Sequence, residues 1–226
     1  MKLHTKIKSS YLQACLMALF VTTAQAQDPI RFRSEVDSLI TLHNSSDKSN
    51  AILFTGSSSI RLWKDLKSSF PNHNVLNGGF GGSEMADLLY YIDSLILPLR
   101  PIQIFIYEGD NDISRGRAED QIIATADSIL KRIQKQLPNT EVIFISPKPS
   151  IARWHLKEKY ESYNKTFKAW SDQQNNVQYA DVWTPMIDEN GDVLKDIFIQ
   201  DNLHLNEKGY KIWTSVLKKY LKAPSH

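Results

Sequence analysis

Along this chain, short runs of consecutive apolar residues alternate with longer stretches in which apolar positions recur every three or four residues. The runs Ala51–Thr55, Ile102–Tyr107, Glu141–Ile145 and Val177–Val182 are rich in β-branched and aromatic side chains. Runs of that kind form strands buried on both faces, as in a parallel sheet. Asn74–Leu76 is a shorter version of the same signal. The intervening stretches have helical spacing. Residues 28–43 place Phe32, Val36, Leu39 and Ile40 on one stripe, and a helix from Ser83 or Glu84 to about Leu95 places Met85, Leu88, Leu89 and Ile92 on another. Residues 118–137 and 155–174 predict two long amphipathic helices, Arg61–Leu66 a short one, and Asn206 caps a terminal helix running through Leu221. Tyr160, Tyr163, Phe167 and Trp170 share one stripe, which reads as core rather than as a cofactor surface. Turns fall at Asn44–Asn50, Pro98–Pro101, Pro138-Asn139 and Glu189–Asp192. Five strands alternating with helices, without repeats or a long linker, predict a single three-layer α/β/α domain on a parallel sheet.

The N-terminus departs from this pattern. Lys2, Lys6 and Lys8 precede a short apolar run from Ala14 to Val21, and Ala24-Gln-Ala26 follows as a small-x-small site. This is the layout of a secretory signal peptide over residues 1–26, and the run falls well short of the ~18 residues of a membrane span. The mature domain is then 27–226, placed in the periplasm or secreted. Leu12-Gln-Ala-Cys15 matches a lipoprotein box poorly, because the residues before it are polar. Cys15, the only cysteine, leaves with the signal, so the mature chain has no disulfide and no thiolate metal ligand. Export also changes the charge. Without the three signal lysines, the 27 basic residues fall to 24 against 25 acidic ones, a net charge of −1. That balance removes the electrostatic case for a nucleic acid or an anionic membrane surface as partner.

Candidate chemistry gathers where strands end. Ile52-Leu-Phe54 runs through Thr55 into Gly56-Ser57-Ser58-Ser59, where a sharp turn would expose a hydroxyl at the sheet's carboxyl edge. The alternative is that these serines only cap the next helix. Asn77-Gly-Gly-Phe-Gly-Gly-Ser83 follows the second strand, Gly109-Asp-Asn-Asp112 the third, and Asp201-Asn-Leu-His204 precedes the last helix. In a parallel sheet the carboxyl ends lie on one edge, so these distant blocks can converge. Acyl transfer needs a nucleophile, a base, a group that orients the base, and donors for an oxyanion. The blocks supply one of each.

Taken together and in this order, they resemble the SGNH (GDSL-like) hydrolase family of esterases and acylhydrolases, over residues 56–204. Gly56-Ser57-Ser58 stands where the family has Gly-Asp-Ser, with Ser57 in place of the aspartate. Gly109-Asp110-Asn111-Asp112 matches Gly-x-Asn-Asp, and Asp201-Asn-Leu-His204 matches the closing Asp-x-x-His. The resemblance implies a flavodoxin-like fold with a five-stranded parallel sheet. It implies Ser58 as nucleophile, His204 as base and Asp201 as its orienter. The oxyanion would be held by the N–H groups of Ser58 and Gly79 and the Asn111 side chain. No metal and no cofactor is implied. A Gly-x-Ser-x-Gly elbow is absent, which separates the chain from ordinary α/β-hydrolases.

The expected activity is hydrolysis of a small acyl ester, acetyl first, on a small molecule or a carbohydrate. Trp63, Trp154 and Tyr107 are candidate stacking surfaces, with core packing the expected use of at least two. Lysophospholipase or platelet-activating-factor-acetylhydrolase-like lipid hydrolysis is the alternative. A non-catalytic flavodoxin-like or carbohydrate-binding module is the rival from another class, because Thr55–Ser59 could imitate a phosphate-seating loop.

Overall fold

The fold was obtained as a computed structural model, which describes residues 28–223. The stretch 1–26 expected to be a signal peptide, with Cys15, lies outside the described residues. After a 3-10 turn at Pro29–Phe32 the elements are α1 (Arg33–Asn44), β1 (Ile52–Gly56), α2 (Ser58–Arg61), α3 (Leu66–Ser69), β2 (Val75–Gly79), α4 (Met85–Tyr91), β3 (Gln103–Tyr107), α5 (Asp110–Ser114), α6 (Glu119–Gln136), β4 (Glu141–Ile145), α7 (Lys157–Ser171), β5 (Val177–Ala180) and α8 (Glu207–Leu217). The five strands are all parallel, in the order β2-β1-β3-β4-β5.

Alternation along the strands divides the interior into two cores. Leu53, Ile104, Ile106, Val142 and Phe144 face one side and pack against α1, α4, α6 and α7. Ile52, Phe54, Phe105, Tyr107, Ile143 and Ile145 face the other and pack against α2, α3 and α8. The Tyr160–Phe167 stripe of α7 is buried in the first core, as its spacing predicts. Trp213 of α8 and Trp63 meet edge-on in the second, their ring centroids 5.8 Å apart.

The chain leaves β1 for β2 on one side and then crosses to β3 on the other. The reversal lies between β1 and β3, and open α/β sheets bind ligands outside the strand ends at such a point. Gly56 closes β1 with φ +118°, where a Cβ would run into the Tyr107 carbonyl, so only glycine fits this close pairing of strand ends.

Three element boundaries differ from the sequence reading. β2 continues through Asn77-Gly78-Gly79, because Gly56 and Gly79 pair in register and Phe80 N–H still donates to Gly56 O at 2.8 Å. The helix after β1 begins at Ser58 itself and breaks before a separate turn at Leu66–Ser69. The helix expected to reach Leu95 stays α-helical only to Tyr91. It widens into a π turn at Ile92–Ile96 ahead of Pro98, whose ring cannot continue an α-helical ladder.

Candidate active site

At the β1 end, Ser57 is extended and Ser58 opens α2. Ser57 makes no side-chain cap to this helix, so the capping reading of the serines is not realised there. Ser58 Oγ lies 2.8 Å from His204 Nε2. On the other side of the ring, His204 Nδ1 lies 2.6 Å from Asp201 Oδ2. A carboxylate accepts from Nδ1–H, so Nε2 is the bare nitrogen that can take the Ser58 proton. Ser59 is buried at 2 % exposure.

Asp201 and His204 reach Ser58 from a loop without regular structure. Asp201 Oδ1 accepts the N–H groups of Leu203 and His204, each at 2.9 Å. Asn202 sits between them at φ +57°, a conformation asparagine tolerates. The loop is closed by Ile199 N–H to His204 O at 2.9 Å and by an antiparallel bridge between Phe198 and Leu205. Asn206 accepts from Lys208 and Gly209 N–H and caps α8, as expected. Burial works to raise the Asp201 pKa, but the bonds from the His204 ring and from the His204 and Leu203 amides outweigh it and hold the carboxyl at about 2. The group is therefore ionised at any working pH.

Beyond the β3 end, Asn111 is buried on α5, a helix too short and polar for periodicity to reveal. Its Nδ2 donates to Ser57 Oγ at 2.8 Å and to Ser83 O at 2.9 Å. Its Oδ1 accepts from Arg153 Nη2 at 2.9 Å. The aspartates on either side of it have opposite surroundings. Asp110 is buried, which would raise its pKa, but Lys148 and Arg153 with the hydroxyls of Tyr160 and Tyr107 hold it well below the usual range. Asp112 is buried beside Glu84 and Asp87, and it is pushed up to about 7 despite accepting Met85 N–H. Its neighbour Glu108 is buried too, is raised well above the usual range, and accepts the Ser83 hydroxyl at 2.5 Å.

The expectation for Gly79 requires correction. Gly79 is the last residue of β2, and its N–H donates to Asn77 Oδ1 at 3.0 Å. A Cβ there would meet the backbone of Ile60 and Arg61, so this glycine is needed for α2 to pack on the strand. The glycine facing open space is Gly82, at φ +69° and one residue before the Ser83 whose carbonyl receives Asn111. Its amide makes no hydrogen bond among the described residues. Of the candidate stacking residues, Trp63 and Tyr107 are buried, as expected of two of the three. Trp154 is half-buried and stacks on Trp183 with centroids 6.2 Å apart.

A family model for GDSL-like lipase/acylhydrolases matches residues 45–212, which contain every residue of this site. The chain belongs to that family. Three solved structures share the fold of this GDSL-like hydrolase. A protein from Streptococcus pneumonia described as a platelet activating factor candidate is 23 % identical, with TM-score 0.75 over 85 % of this chain and 95 % of that one. A GDSL-like lipase from Bacteroides thetaiotaomicron is 19 % identical, with TM-score 0.70 over 85 % and 96 %. An acetylxylan esterase from Geobacillus stearothermophilus is 15 % identical, with TM-score 0.64 over 78 % and 96 %. No curated protein sequence matches the chain significantly.

The sequence reading of this GDSL-like hydrolase did not include Ser57, Gly82 or Arg153 among the site residues. Ser57 and Gly82 stand inside motifs already singled out, and only their roles were not assigned. Arg153 carries no motif signal. It enters because the loop after β4 folds back between the β3 end and the Asp201 loop, with Ala152 N–H donating to Asn202 O at 3.0 Å.

Proposed function

We propose that this protein is an exported serine esterase that removes a small acyl group, acetyl first, from a carbohydrate ester through an acyl-serine intermediate. The observation that carries the reading is the unbroken run of contacts from Ser58 Oγ through His204 to Asp201. Ser58 Oγ attacks the ester carbonyl and gives its proton to His204 Nε2. The Asp201 carboxylate stabilises the resulting imidazolium. The tetrahedral intermediate collapses, and His204 returns the proton to the leaving alcohol. Water then attacks the acyl-serine by the same route, releasing the acid and restoring Ser58.

The oxyanion is held by three donors in this reading. Ser58 N–H, at the start of a helix, has no intrahelical acceptor. Gly82 N–H takes the place expected of Gly79. Asn111 supplies its side-chain N–H, and a charged oxyanion outcompetes the neutral Ser57 hydroxyl for it. The carbohydrate part rests on the half-buried aromatic residues Trp154 and Trp183 next to Arg153, which a sugar could contact, and on the acetylxylan specificity named for one structural neighbour. Export rests on the pattern of residues 1–26. The flavodoxin-like rival fares poorly, because the Ser57 and Ser58 hydroxyls are engaged by Asn111 and His204.

A lipid ester is the second reading. Ile199, 46 % exposed in the Asp201–His204 loop, offers an apolar rim for an acyl chain. Nitrophenyl esters of rising chain length, run beside acetylated xylo-oligosaccharides, separate the two. Activity confined to acetyl and propionyl esters with release of acetate from the sugars supports the first. A rate that rises through octanoyl, with untouched sugars, overturns it.

A further inference from the structure

Asn111 can serve an oxyanion only if its amide presents NH2, not oxygen, toward the Ser57–Ser83 side. The neighbours settle that choice. Arg153 has donors alone, so the atom facing Nη2 at 2.9 Å is an acceptor and must be Oδ1. Nδ2 then turns to Ser57 Oγ and Ser83 O. Arg153 is itself held. Nη1 donates to Asp110 Oδ1 at 2.5 Å and to Asp110 O at 3.1 Å, and the Asp110 carboxylate also receives Tyr107 OH at 2.7 Å and Tyr160 OH at 2.5 Å. The Lys148 ammonium, 1 % exposed, lies 3.5 Å from the same carboxylate. So the planar fork of Arg153 is locked by a buried aspartate at one tine and grips the Asn111 amide with the other. A cation on the amide oxygen also draws electron density from nitrogen and strengthens its N–H as a donor.

We propose that Arg153 is a positioning residue for catalysis: through Asp110 it fixes the orientation of the Asn111 amide and raises that amide's power to stabilise the oxyanion. The proposal rests on the reading of Asn111 as an oxyanion donor, so the test separates the two. Arg153→Met lowers kcat by about 10–100-fold with KM little changed, since a misplaced group costs up to ~10²-fold. Arg153→Lys keeps a cation for Asp110 and recovers part of the loss. In an Asn111→Ala background, Arg153→Met has no further effect on kcat, because the group it acts through is gone. Thr140→Val removes a buried hydroxyl that donates to Pro101 O at 2.7 Å, outside this network, and lowers Tm while kcat stays near wild type, which separates positioning from general loosening.

Kinetics and thermal melts of these five proteins and the wild type decide it. If Arg153→Met costs the same factor with and without Asn111, or raises KM and spares kcat, the proposal falls while the Asn111 reading stands. If Asn111→Ala itself keeps the wild-type kcat, both fall. Should Arg153→Met fail to fold, Arg153→Lys in the two backgrounds makes the same comparison.

Discussion

Ser58 and Asn111 leave the ends of β1 and β3, strands paired on both sides in the middle of the sheet, whereas Asp201 and His204 stand on a loop tied down by its own hydrogen bonds. The residues around the first pair, Ser57, Ser59 and Asp110, are all buried. The side chains of the second pair are 42 % and 21 % exposed. In the mechanism we propose, the difference separates two tasks. The sheet edge would fix where the reacting carbonyl lies, and its residues also hold the fold together. The loop would deliver a base to that point, and its residues can be removed with little loss of packing. Substitutions in the first half should therefore cost stability and rate, and those in the second rate alone.

The largest effects test the contact between the halves. Ser58→Ala and His204→Ala should each lower kcat by roughly 10⁶-fold, as loss of either member of an interdependent triad does. Melting temperature should stay near wild type for His204→Ala, whose side chain is partly exposed. A residual rate within a hundredfold of wild type, well inside that ~10⁶ range, would remove His204 as base. The serine register is checked by labelling with an organophosphonate and mapping the adduct by mass spectrometry. Ser58 should carry it, and an adduct on Ser59 would mean the reactive hydroxyl is misassigned.

Next comes Asp201→Asn, with an expected fall of about 10⁴-fold in kcat. Asparagine can keep the bonds from Leu203 and His204 N–H, but its amide permits the wrong imidazole tautomer. The comparison predicts an unchanged melt here as well. Calorimetry showing a large drop in Tm would mean the loop is part of the folding core after all.

Asn111→Ala should have the smaller kinetic effect, about 10²–10³-fold in kcat with KM little changed, the usual result of losing one oxyanion donor. It should also lower Tm, because the Ser83 carbonyl and one arm of Arg153 lose their partner in a buried setting. A variant that is slow but fully stable would contradict the division drawn above.

How much of this was legible in the sequence follows the same line. Ile52–Phe54 and Ile104–Tyr107 announce themselves, because a strand buried on both faces reads as a near-continuous apolar run. The strand ends followed, and with them Ser58 and Asn111. Asp201 and His204 were legible from their spacing and the Asn206 cap behind them. Gly79 was misread because a strand that continues through Asn77-Gly78-Gly79 has no side-chain pattern to reveal it. Only the pairing of Gly56 with Gly79 does so, and that is a tertiary fact. Arg153 was illegible for a related reason. The buried Asp110 calls for a cationic partner, but which one depends on how the loop after β4 returns across the sheet edge.

The final prediction concerns stability against pH and sits wholly in the buried half. Asp112 is pushed up to about 7 from an ordinary 3.8, first by burial and also by the neighbouring Glu84 and Asp87 carboxylates. Between those pH values the folded protein holds a proton that the unfolded chain has released. Unfolding then releases protons, so stability falls as pH rises through this window and levels off above it. Asp110 behaves oppositely. Its depressed pKa contributes stability above the unfolded value, lost as pH falls below about 4. Asp112→Asn keeps an oxygen for Met85 N–H and removes the titration. It should leave Tm unchanged at pH 4 and raise it by about 3–6 °C at pH 8, the shift that one or two kcal/mol produces in a domain of this size. Thermal melts from pH 4 to pH 8 on both proteins measure it. Parallel curves would show that Asp112 is ionised throughout, and that the buried half carries no such proton.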